Sequence, residues 1–97
     1  MITTKQRAYL RKLGQTTDAL YQIGKNGIIE TTIETLDAAL TARELIKITV
    51  LETSPVSPKE AMAELMEKLN CEAVQVIGRK VTIYRPNPEK PQITLPR

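Results

Sequence analysis

The sequence predicts a single α/β domain with elements in the order α-β-α-β-α-β-β, and three observations predict it. Two helix starts carry capping boxes, at Thr3–Gln6 and Ser57–Glu60. Between them, Leu45 to Leu51 is a run rich in β-branched residues and reads as a strand. After the second, Ala73 to Arg85 reads as two strands joined through Gly78-Arg79-Lys80.

In chain order, the first helix runs from Lys5 to Leu13, where Gly14 offers a stop. Tyr9, Leu10 and Leu13 fall on one side of it, while Lys5, Arg7, Arg11 and Lys12 cover much of the rest without an acid among them. Such an uncompensated basic face points to an anionic partner. Residues 20–23 form a short strand, followed by Gly24-Lys25-Asn26-Gly27. A helix over 29–42 places Ile29, Ile33, Leu36 and Leu40 at helical spacing. In the next strand Ile46, Ile48 and Val50 point one way and Lys47 and Thr49 the other.

Ser57-Pro58-Lys59-Glu60 then opens a third helix with an apolar stripe of Ala61, Met62, Leu65, Met66 and Leu69. In the terminal hairpin Val74 and Val76 are expected to share a face with Val81 and Ile83, with Gln75, Thr82 and Tyr84 facing away as Lys47 does. One sheet face is then apolar and the other largely polar, which suits helices packed on one side only. From Pro86 the chain has four prolines in twelve residues, so residues 1–85 are expected to form the domain and 86–97 an extended or mobile tail.

Composition narrows the classes of function. Ninety-seven residues suffice for one core, and with tyrosine as the only aromatic type that core is aliphatic. No stretch approaches the roughly 20 apolar residues that span a bilayer, so no membrane role is expected. The start, Met-Ile-Thr-Thr-Lys-Gln, lacks the apolar segment of a secretory signal. A single cysteine agrees with a reducing compartment, and a cytoplasmic protein is expected. The absence of histidine removes imidazole acid–base chemistry and histidine metal ligation, and one thiol cannot build a zinc site. No enzyme activity, cofactor or metal is expected; Cys71 reads as a small buried side chain.

The net charge is only +3 but is unevenly placed. Residues 1–27 carry five basic side chains against one acidic, residues 28–72 four against nine, and residues 73–97 five against one. A fold that joins the two ends would set a cationic surface beside an acidic one. Gly24-Lys25-Asn26-Gly27 suits that surface. Glycine permits a tight turn and close approach to a ligand, the helix that follows offers N–H groups at its start, and Lys25 adds a charge at the tip. Neither a Walker pattern nor a longer dinucleotide-binding glycine run is present. The precedent is a glycine loop that clamps nucleic-acid backbone, as in KH domains. Arg79 and Lys80 at the hairpin tip, and Arg85 at the strand end, read equally as solvated turn charges or as contacts to such a ligand.

Several stretches together resemble the CRM domain. They are Thr4-Lys5-Gln6-Arg7 with Tyr9-Leu10-Arg11, Ile23-Gly24-Lys25-Asn26-Gly27, Arg43-Glu44-Leu45-Ile46-Lys47, Val76-Ile77-Gly78-Arg79, Tyr84-Arg85-Pro86 and Ile93-Thr94-Leu95-Pro96. The resemblance is nearest to the stand-alone YhbY-type RNA-binding proteins of bacteria and covers nearly the whole chain in order. It implies a four-stranded mixed sheet similar to the C-terminal domain of translation initiation factor three. It also implies RNA binding, with ribosomal RNA in precursors of the large subunit as partner. By position, the loop role falls on Gly24, Lys25, Asn26 and Gly27, with basic support from Lys5, Arg7, Arg11 and Lys12 on the first helix, which is expected to lie next to the loop. Lys47, Arg79, Lys80 and Arg85 complete the candidate set. Relatives tend to place Thr or Ser two residues after the loop as a helix cap; Ile29 stands there in this chain, which leaves capping to Asn26 or Gly27. A second reading is a protein-interaction module that meets ribosomal proteins through its acidic middle segment or its tail.

Overall fold

The computed structural model describes residues 2–97, which form α1 (Thr4–Gln15), β1 (Ala19–Ile23), α2 (Glu30–Arg43), β2 (Leu45–Val50), α3 (Pro58–Leu69), β3 (Glu72–Ile77) and β4 (Lys80–Tyr84). The predicted α-β-α-β-α-β-β order and mixed four-stranded sheet are both observed. Strand order is β1-β2-β4-β3, with β1 parallel to β2 and the other pairs antiparallel.

Both capping boxes form as the sequence predicts. The Gln6 N–H donates to the Thr3 hydroxyl and the Thr3 N–H to the Gln6 side chain; Ser57 and Glu60 exchange the same pair. At α2 the expected caps do not act. Ile29 occupies the capping position with no hydrogen-bonding side chain, and its own N–H donates to the Thr32 hydroxyl at 3.4 Å. Asn26 and Gly27 lie too early in the chain, spent on the turn before it.

The sheet is covered on both faces, which corrects the one-sided arrangement expected from patterning. On one face Ile23, Ile46, Ile48, Val50, Val81 and Ile83 pack against α2 and α3 through Leu36, Leu40, Met62 and Leu65. On the other, α1 lays Leu10 over Leu45, Val74 and Tyr84, with Ile2, Leu13, Ile93 and Leu95 around them. Gly14 is not a helix stop. It lies buried inside α1, where a Cβ would meet the Thr82 methyl at 3.4 Å, so the helix rests close on β4. The helix ends one residue later, at Gln15, and the Thr16 and Thr17 hydroxyls then donate to the Leu13 carbonyl.

Val74 also departs from the alternating pattern. Pairing of β3 with β4 shifts register between Ala73 and Gln75. This bulge turns Val74 toward α1, while Val76 stays with Val81 and Ile83. Met66 and Ile29, expected in apolar stripes, are largely exposed at the margins of their helices.

Residues 86–97 contain no helix or strand, yet they are tied to the domain by Glu44. This residue ends α2 at φ 66° and is 1% exposed. Its carboxylate accepts the backbone N–H groups of Asn87, Gln92 (2.6 Å) and Ile93 (2.8 Å). Gln6 also donates to the Pro96 carbonyl, and Ile93 and Leu95 pack beside α1. Replacing Glu44 with Ala removes the acceptor for three amides at once. The expected result is a loss of about 2 kcal/mol in urea denaturation and fast hydrogen exchange at Gln92 and Ile93. Cys71 is buried with its thiol directed at the Leu65 carbonyl, and burial pushes its pKa up to about 11. At neutral pH it is expected to resist a thiol-reactive disulfide reagent in the native protein and to react fully once unfolded.

Candidate nucleic-acid interface

The glycine loop follows directly from the end of β1. Ile23 is buried, its carbonyl accepting the Leu51 N–H at 2.9 Å, so the parallel pairing continues to the point where the loop departs. The Gly27 N–H then donates to the Gly24 carbonyl at 2.9 Å, closing a four-residue turn with Lys25 and Asn26 exposed at its corners. Neither corner residue has positive φ, as a type I turn requires. Gly27 does, at φ 67°, and it is buried against Pro55. Ile28 follows into the core margin. The turn is therefore docked at its second glycine and open at its tip.

The start of helix α2 is a poorer place for an anion than its position suggests. Its first residue is Glu30, whose carboxylate already meets the positive end of the helix. Lys25 is accordingly the principal charge of the loop.

The β3–β4 hairpin lies at the same end of the sheet. The Arg79 carbonyl accepts the Val50 N–H, and the Arg79 guanidinium donates to the carbonyls of Val50 (2.7 Å) and Leu51 (2.8 Å). Leu51 in turn lies alongside Gly24. Arg79 thus locks the hairpin to the chain that borders the loop, and Lys80 extends beside it from β4.

Helix α1 sits at the other end. It covers Leu45, Val74 and Tyr84, and β1 separates it from the loop by about 13 Å of extended chain. The basic helix and the loop are therefore opposite borders of one sheet face, which corrects the expectation that they lie side by side: α1 packs on the Leu45–Tyr84 end, whereas β1 carries the loop to the Val50 end. Lys5 and Lys12, two turns apart, occupy the outer side of α1. Arg7 donates to the Ala73 carbonyl at 3.0 Å, and Gly14 rests on Thr82. Arg11 lies between these two on the helix, on the flank toward the open half of the sheet; the opposite flank, through Gln6 and Leu13, meets the tail.

Between the borders the strand register builds two rows across the sheet. One consists of Gln22, Thr49, Lys80 and Ile77; the other of Ala19, Lys47, Thr82 and Gln75. Neither row contains an acid. Thr82 is sealed beneath Gly14, but the side chains of Gln22, Thr49, Gln75, Lys47 and Lys80 have no hydrogen-bond partner among the described residues. Sequence reasoning singled out the lysines and passed over the amides and Thr49, although the two-residue alternation around Lys47 was the signal for them.

Arg85 stands apart from all of these. It ion-pairs with Asp37 at 2.8 Å and also donates to the Leu69 carbonyl and Thr41 hydroxyl, clamping α2 to α3 behind the sheet. Its guanidinium is engaged on the helical side, away from the other candidates.

The two loop glycines carry unequal demands. A Cβ on Gly27 would need positive φ and would lie 3.0 Å from the Pro55 ring, whereas on Gly24 it would meet only a Leu51 methyl at 3.6 Å. Gly27→Ala is expected to destabilise the domain by roughly 1–2 kcal/mol in denaturant titration, from the backbone conformation alone. Gly24→Ala should change it by less than about 0.5 kcal/mol.

Comparison with known proteins identifies the family. A model of the CRS1 / YhbY (CRM) domain matches residues 2–85. The Bacillus subtilis protein named "Probable RNA-binding protein YqeI" is 33% identical over 96 residues, covering 99% of this chain and 100% of that protein. An RNA-binding protein of Haemophilus influenzae is 29% identical over 96 residues, 99% and 96% of the two chains. The solution structure of the Staphylococcus aureus protein SAV1595 has the same fold, with a TM-score of 0.74 at 43% identity, covering 99% of this chain and 100% of that one. This chain belongs to the CRS1/YhbY (CRM) domain family.

Proposed function

We propose that this chain is a non-enzymatic, cytoplasmic RNA-binding protein that acts in large ribosomal subunit assembly. It holds RNA through the Gly24–Gly27 loop and the cationic sheet face that runs from Lys25 and Lys80 to Arg11. Residues 1–85 form the binding unit and 86–97 an appended tail. The observation that carries this reading is a sheet face with unengaged lysines and no acid in its open rows, bordered by an exposed Gly-x-x-Gly turn. Relatives named as RNA-binding proteins support the ligand class. Resemblance to the YhbY-type proteins supports the ribosomal setting.

Phosphate contacts would supply most of the affinity, since few side chains on this face can read bases. Lys5, Lys12, Lys25, Lys47 and Lys80 act as point charges. Arg7 and Arg79 contribute mainly by holding α1 and the hairpin in place, and Arg85 by holding the helical layer.

The acidic outer surface of α2 and α3, with Glu30, Glu34 and Glu67 exposed, favours a second reading as a protein-interaction module. Sedimentation with ribosomal precursor particles separates the two: nuclease treatment releases a protein held by RNA and spares one held by protein.

In a filter-binding titration the logarithm of affinity should fall linearly with the logarithm of salt concentration. Lys25→Ala and Lys80→Ala should each weaken binding and reduce that slope by about 1, without changing the unfolding midpoint. A flat salt response, or normal binding by both variants, would remove the phosphate mechanism.

A further inference from the structure

We infer that the RNA recognised by this face is a double-stranded, A-form segment, approached across its minor groove. This rests on the RNA-binding reading above and specifies the form of the ligand.

The first observation is the absence of a stacking platform. Single-stranded RNA is held largely by aromatic side chains on which unpaired bases lie. Here Tyr84 is buried under α1, Tyr21 belongs to the opposite sheet face, and Tyr9 sits on α1 away from the open rows. Ile77, 62% exposed, is the large apolar side chain the open rows present, and it has no π-face.

The second observation is the order of groups across the face. Cations stand at both borders, Arg11 on α1 and Lys25 at the loop, with Lys80 just inside. Between them lie Gln22, Thr49 and Gln75, polar groups that both donate and accept and are unused within the protein. An A-form duplex presents the matching sequence of features. Two phosphate strands flank a wide, shallow minor groove lined with 2′-hydroxyls, each of which both donates and accepts. A single strand offers one line of phosphates and leaves one cationic border unused. A DNA duplex lacks the hydroxyls that the central groups would meet.

The third observation is rigidity. Arg79 fastens the hairpin to β2, and Gly27 fastens the loop to Pro55, so the spacing between the borders is set before ligand arrives. Fixed spacing suits a stiff duplex.

The test compares a short RNA duplex, the DNA duplex of the same sequence, and each RNA strand alone, at one salt concentration. The RNA duplex should bind most tightly. Gln75→Ala and Thr49→Val should each lower RNA-duplex affinity by roughly fivefold, the equivalent of one hydrogen bond. They should leave DNA affinity and the salt slope unchanged, whereas Lys80→Ala should weaken both duplexes. Unfolding midpoints of the variants check that the fold is intact. A single strand bound as tightly as the duplex, or an RNA-over-DNA preference indifferent to Gln75 and Thr49, overturns this inference while leaving RNA binding in place. Failure of every RNA to bind overturns the parent reading as well.

Discussion

A buried carboxylate organises this domain. Glu44 ends α2 with positive φ, in a backbone region that L residues seldom occupy, and its position is over-determined from every side. Its N–H donates to the Leu40 carbonyl, its carbonyl accepts the Arg85 N–H, and its carboxylate gathers three amides from the tail. A carboxylate withdrawn from water without a cation is tolerable only because charge-assisted hydrogen bonds replace its hydration. The strained residue therefore joins the helical layer, the central strand pair and the tail. It also anchors the tail at the end of the sheet that α1 closes. With α1 and the tail fixed over Leu45 and Tyr84, the Lys47–Lys80 end is left to the solvent.

The same economy of groups separates arginine from lysine. Arg7, Arg79 and Arg85 each donate to a backbone carbonyl that secondary structure leaves available, a task for which the planar guanidinium is shaped. The lysines of the sheet face and loop hold nothing within the protein. Positive charge is thus divided into a structural part and a part offered to a ligand. Acidic residues, meanwhile, are concentrated on α2 and α3 behind the sheet, so the molecule is electrically two-sided. On the proposed reading, that polarity would orient an approaching polyanion toward the open face before any contact is made.

Much of this was legible in the chain. The capping boxes at Thr3 and Ser57, the β-branched run of β2 and the turn glycines each act within a few residues, and the elements form where those signals stand. The features that escaped depend on distant partners. Gly14 looks like a stop until Thr82 is placed beneath it. The bulge at Val74 inserts one residue into a two-residue alternation, and no local composition marks it. Prolines in the tail announce extended chain but not its anchor, because the anchor is a carboxylate bonded to backbone amides. Arg7 reads as part of a ligand-facing basic helix, and Arg79 and Arg85 as turn charges or ligand contacts alike, for the same reason: their acceptors are main-chain carbonyls, which every residue has. For the candidate site, the loop and its flanking cations could be picked out residue by residue. Their separation to two borders of one face required the strand register.

That separation changes what the glycine loop can be. A loop adjoining the basic helix would act as one concentrated anion site. A loop set off by the length of β1, about 13 Å of extended chain, would act as one edge of a broad surface, with a single lysine at its tip. The physical demands on it are then modest: hold Lys25 outward and avoid losing entropy on contact. Gly27 seated on Pro55, and Leu51 held between Gly24 and Arg79, meet that demand by ordering the turn in advance. On the proposed reading, affinity would be a sum over spaced, weak, charged contacts rather than the product of one pocket. Such a surface would discriminate by the geometry of the backbone it spans. It would be poorly suited to reading base sequence, whereas a helical RNA of fixed width would satisfy all of its borders at once.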